Sequence, residues 1–104
     1  MTKPRVSDFP ELHRVFAGYL HEDFVHEYGT PEAALAAFLA DASDAERRRF
    51  KKEARHFLEA TASLEFAEVQ VLIERLGSRW IPASRDVLAA WVAHGDVELP
   101  RKRS

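Results

Sequence analysis

Apolar side chains recur along the chain at three- and four-residue intervals, in runs separated by turn-forming residues. That period is the signature of amphipathic helices. Phe9, Leu12, Phe16, Tyr19 and Leu20 form the first stripe, with Asp8 as N-cap and Glu11 three residues on. The pattern predicts a helix that runs on through Phe24 and stops near Gly29. Thr30-Pro31-Glu32 starts a second helix, with an N-cap threonine, proline at the first helical position and an acid in the first turn. Its apolar face is Leu35, Phe38 and Leu39.

Ser43 and Glu46 form a capping box for the third and longest helix. Phe50, Ala54, Phe57, Leu58 and Thr61 trace its apolar stripe, with the basic residues largely opposite. Reaching Ala62, this helix is about 30 Å long. Ser63 is a candidate cap for a fourth helix through Leu76, with Gly77 as the C′ residue. Val69-Gln70-Val71-Leu72-Ile73 also suits a buried strand, but no partner strand is evident, and Phe66, Val69, Ile73 and Leu76 share a helical face. An irregular link from Ser78 to Ala83 carries Trp80 and Pro82. Ser84 then caps a fifth helix that ends at Gly95, where Trp91 with Val87, Leu88 and Val92 reads as core. The expectation is an all-α, single-domain bundle of about five helices. Residues 8–98 form its ordered part, the basic ends fray, and Phe16, Leu35, Phe57, Leu72 and Trp91 are buried.

Composition changes that picture little. At 104 residues, 46% of them hydrophobic, with seven Phe and two Trp, the chain can build one core without staples. There is no cysteine, hence no disulfide framework or thiolate site. No apolar run approaches the roughly 20 residues of a membrane helix. The N-terminal MTKPRVSDFPE lacks the apolar region of a signal peptide, so a cytoplasmic protein without membrane contact is expected.

Charge is more informative. The net charge is −2, but five of the 15 basic residues lie at the ends, leaving ten against 17 acids over residues 6–100, a balance of −7. Between Val15 and Glu46 there are seven acids and no Lys or Arg. Arg47, Arg48, Arg49, Lys51, Lys52 and Arg55 then follow in a burst, after which His56 to Glu74 is again purely acidic. The basic seam invites a nucleic acid, since phosphate contacts need clustered Lys and Arg. However, it lacks interleaved aromatics, and the acidic surroundings repel a polyanion. Pairing with neighbouring acidic helices is the better reading, so no nucleic-acid partner is expected.

No catalytic, cofactor or metal residues are expected, and the chain does not read as an enzyme. His21 and His26 are five residues apart, which turns the second imidazole about 140° from the first; a zinc helix needs a four-residue spacing. Ser63, Ser78 and Ser84 sit where caps belong, with no nucleophile elbow. Four glycines in all leave no phosphate-cradling loop.

Tyr19-Leu20-His21-Glu22-Asp23-Phe24 and Glu27-Tyr28-Gly29-Thr30-Pro31-Glu32 resemble the opening of the helical CdiI immunity proteins of contact-dependent growth inhibition systems. In that pattern a Tyr-x-x-x-Asp-aromatic helix is followed by a Gly-x-Pro-Glu turn. Tyr19, Asp23, Phe24, Gly29, Pro31 and Glu32 occupy those positions, with Phe24 where Trp is more usual. The match covers roughly the first 40 residues well and the rest loosely, with Trp91-Val92 similar to the family's last helix. The resemblance implies a monomeric immunity protein that forms a heterodimer with the toxin domain at the C-terminus of its cognate CdiA. The motif residues then define the fold, Tyr19 and Asp23 as one structural unit, and recognition falls to more variable charged positions. A nucleic-acid-cleaving toxin needs a cationic face, which an acidic surface can steer toward and cover. The expected partner-binding residues are Glu22, Asp23, Glu27, Asp41, Asp44, Glu59, Glu65, Glu68 and Trp80. Two alternatives stay open: an antitoxin-like regulator that binds nucleic acid through Arg47–Arg55, and a generic helical adaptor.

Overall fold

The computed structural model describes residues 4–96, with side chains as far as His94. Among them are a single 3-10 turn, Val6–Asp8, and six α-helices: α1 (Pro10–Gly18), α2 (Phe24–Tyr28), α3 (Pro31–Asp41), α4 (Asp44–Thr61), α5 (Phe66–Arg75) and α6 (Arg85–Asp96). No strand occurs among the described residues, and Val69–Ile73 is helical. The all-α fold is as the hydrophobic period predicts.

Three caps form as the sequence requires. The Thr30 hydroxyl accepts from the Ala33 amide at 3.0 Å, and Ser43 and Glu46 close a reciprocal capping box. The Ser84 hydroxyl accepts from the Val87 amide at 3.2 Å.

The first helix departs from expectation. Asp8 closes the 3-10 turn by accepting from the Arg5 amide, and α1 starts at Pro10 behind Phe9, which offers no side-chain acceptor. Glu53 of α4 replaces it, accepting from the Leu12 amide at 2.8 Å. The predicted continuous helix to Gly29 is also broken after Gly18. In an unbroken helix the Leu20 carbonyl would accept from residue 24; here it accepts from the Arg79 amide at 2.8 Å, and the Phe24 amide turns to His21. That crossing is possible because Gly77, at φ 102°, lies against α1: a Cβ there would fall 2.7 Å from the Ala17 Cβ. Gly77 thus serves both as the left-handed C′ residue of α5 and as the contact point between α5 and α1.

The fourth predicted helix starts two residues later than its Ser63 cap implies, with Glu65 in the N-cap position. Helix α1 packs on α4, α2 on α3, and α6 on both α3 and α4. Trp91 sits in the middle, fully buried. Its ring stacks on Phe16 at 5.3 Å and lies near Phe50 and Trp80, and its indole N–H donates to the Pro31 carbonyl at 3.0 Å. Phe16, Leu35, Phe57, Leu72 and Trp91 are all buried as expected, whereas Val87 is 41% exposed and belongs to the surface.

Candidate functional site

The acidic positions singled out by the charge pattern do not form one continuous face. Glu59 lies near the far end of α4 from Asp44, fifteen residues on, so about 22 Å separates them along the axis. Glu59, Glu65 and Glu68 are exposed around the α4–α5 turn, while Asp41 and Asp44 flank the α3–α4 turn at the opposite end. Several of the acids are partnered within the chain: Glu22 lies 3.4 Å from Arg79, Glu27 lies 3.4 Å from His21, and Asp44 pairs with Arg47. Trp80 is half-buried with its ring 5.5 Å from that of Trp91, and its amide donates to the buried Ser78 hydroxyl, so much of this side chain is spent on the core.

What the fold does assemble is a tyrosine patch on the α2–α3 side. The Tyr19 hydroxyl donates to Asp41 at 2.8 Å, across 22 residues of sequence. The Tyr19 ring stacks on Tyr28 at 5.8 Å and meets the edge of Phe38 at 5.5 Å. Burial, then the bond to Asp41 and its charge, push the Tyr19 hydroxyl up to about 12. Burial and the neighbouring Glu27 carboxylate push Tyr28 up in the same way. Both hydroxyls are therefore neutral donors beside carboxylates. Tyr19 bonds Asp41, not Asp23, so the expected Tyr19–Asp23 unit does not form; Asp23 stands exposed at the start of α2 with no side-chain capping bond.

Next to Tyr19 is an open depression of about 530 Å³, lined in part by His13, Arg14, Phe38, Asp41 and Glu46. Arg14 is held at 2.8 Å from Glu46 and 3.3 Å from the buried Glu11. The Ser43 amide and hydroxyl, together with the Arg14 guanidinium, hold the Glu46 carboxyl at about 2. Val25 is 59% exposed on α2, three residues before Tyr28 and hence on the same helical side. The charge pattern points to Glu27 and Asp41; Tyr28 and Val25 carry no sequence signal beyond their residue type.

Among the described residues no group of three or more His, Asp or Glu is placed to hold a metal ion, and the His21 Nδ1 already accepts from the Asp23 amide at 3.1 Å. No described helix is long and apolar enough to cross a membrane.

The family model described as CdiI immunity protein matches residues 8–94. The chain belongs to that family. An immunity protein of this kind neutralises the toxin of its cognate CdiA, and the match extends well beyond the first 40 residues to include the core helix that carries Trp91. No curated protein and no solved structure matches the chain. Within this CdiI protein, the tyrosine patch brings together aromatic rings, partly buried hydroxyls and carboxylates in the combination that interface hot spots favour.

Proposed function

We propose that this CdiI protein binds the C-terminal toxin domain of its cognate CdiA, one to one and in the cytoplasm, through the patch of Tyr19, Tyr28, Glu27 and Asp41. The toxin face it covers is cationic, as a nuclease requires for its substrate. Inhibition is by occlusion, without catalysis, and the whole chain acts as one binding domain. The observation that carries this reading is the Tyr19–Asp41 bond: it fixes a carboxylate at the rim of the depression, beside the stacked Tyr19 and Tyr28 rings. Aromatic anchors give an interface its desolvated centre, and Val25 adds apolar area beside Tyr28. Glu22 and Asp23, on the segment leading into α2, extend the negative field. Glu59, Glu65, Glu68 and Trp80 lie away from this patch or face the core, and Asp44 contributes at its edge.

The test is association kinetics with the C-terminal toxin domain of the cognate CdiA. Reversing Glu22→Lys, Glu27→Lys and Asp41→Lys together should lower the on-rate at low salt by about tenfold or more, because steering acts on encounter. Most of the salt dependence should vanish with it. Tyr28→Ala should instead act mainly on the off-rate. An unaltered on-rate in the triple variant, with helicity intact, would falsify the acidic-patch model while leaving family membership untouched.

A further inference from the structure

The basic seam of α4 does not do what the sequence suggests. Of its six cations, only two are neutralised. Arg47 donates to the Leu39 carbonyl and pairs with Asp44, and Arg49 lies 3.5 Å from Glu11. Arg48, Lys51, Lys52 and Arg55 make no ion pair with any described residue. Arg48, Lys52 and Arg55 are exposed, and Lys51 is partly so. At 100° per residue the four fall within a sector of about 100°, opposite the buried Phe50, Ala54, Phe57 and Thr61, and span about 10 Å of the helix axis. Their i,i+3 and i,i+4 spacings make them mutually repulsive. The fold leaves that repulsion unrelieved, although Glu53, on the same helix, is turned to α1 instead.

We infer that this stripe is a second binding surface, for the phosphate backbone of double-helical nucleic acid. The choice of partner follows from what accompanies the charges. A protein interface needs a desolvated apolar or aromatic centre, and the exposed residues of α4 in and around the stripe are Asp44, Ala45, Arg49, His56 and Glu59. Single strands bind through stacked aromatics, of which the stripe has none. A duplex backbone needs only clustered cations. The net negative charge elsewhere weakens binding without cancelling it, because fields decay over about 10 Å at 0.1 M salt and the four cations lie nearest the phosphates. Asp44 and Glu59 bound the stripe at its two ends, limiting it to about four phosphate contacts. Binding is therefore weak, non-specific and strongly salt-dependent, and it is independent of whether the tyrosine patch holds the toxin.

The probe is a fluorescently labelled duplex of about twenty base pairs, titrated with the full chain and read by anisotropy. Four released counterions give a log–log salt slope of about −3 to −4, so affinity should fall roughly 100-fold between about 50 and 200 mM salt. Arg48→Glu with Lys52→Glu should abolish binding at low salt, whereas Arg75→Gln, an exposed cation on α5, should not change it. Circular dichroism of the double variant checks that α4 persists; should the double reversal not fold, Arg48→Gln with Lys52→Gln replaces it and should lower affinity at least tenfold. The inference fails if the duplex does not bind at low salt, or if binding survives the α4 substitutions. It fails equally if a single strand or polyglutamate binds as well as the duplex.

Discussion

Tyr19 is where the chemistry of this surface is set. Its hydroxyl is a neutral donor to Asp41, and burial and that carboxylate together hold its ionisation near 12 against an ordinary 10. The folded pKa is raised, so the associated stability is fully present below pH 10 and is lost as pH rises from about 10 to about 12. Removing the hydroxyl should therefore flatten the alkaline limb. Thermal unfolding of Tyr19→Phe should depend less steeply on pH between about 10 and 12 than that of the unaltered protein, with the raised Tyr28 keeping its own share of the slope. A spectrophotometric titration should show both of the chain's two tyrosines ionising above the ordinary value, one of them near 12. Two tyrosinates appearing at the ordinary pKa would mean that Tyr19 is neither buried nor bonded to Asp41. At neutral pH the same substitution frees Asp41 to rotate, at a cost of about 1 kcal/mol for the lost bond.

Helices tell a divided story about what can be read from residues in order. The starts at Thr30, Ser43 and Ser84 are legible because donor and acceptor lie within three residues, so the motif carries its own geometry. The end of α1 is not legible. It depends on Gly77 and Arg79, some sixty residues away, which take the Leu20 carbonyl out of the helix. The candidate site divides in the same way. Acid blocks are visible as charge, but the pairing of Tyr19 with Asp41 and the separation of Asp44 from Glu59 come only from how the helices are laid out. Local caps nevertheless make sharp predictions. The Glu46 carboxyl is held at about 2 by the Ser43 amide and hydroxyl and by Arg14, so its contribution is present above pH 4.5 and is lost as pH falls toward 2. Glu46→Gln keeps an oxygen for the Ser43 amide but cannot titrate. Unfolding followed across that range should show a shallower acid limb in the variant, and an unchanged limb would refute the assignment.

Across the molecule, helix ends are finished by other helices. Glu53 of α4 accepts from the Leu12 amide in the first turn of α1. Arg47 of α4 donates to the Leu39 carbonyl near the end of α3. Arg85 of α6 donates to the Thr61 carbonyl at 3.1 Å and to the Leu64 carbonyl, closing α4. Burial pushes the Glu53 carboxyl up, against the Leu12 and Glu11 amides that pull it down, so its position is a compromise of the assembled fold.

These borrowed caps bear on how the protein comes apart. A helix end held only by its own residues frays at almost no cost, whereas an end held by a neighbour opens only when the neighbour lets go. The Leu12 amide should therefore exchange its hydrogen with solvent no faster than amides beside Trp91, with the same dependence on denaturant. Glu53→Ala should raise exchange at Leu12 alone, by an amount equivalent to about 1 kcal/mol, the usual cost of a lost cap. If Leu12 exchanges quickly in the unaltered protein, the two helices open separately. If it exchanges with the core, a protease meeting this chain finds no loose first turn on α1, and degradation waits on global unfolding.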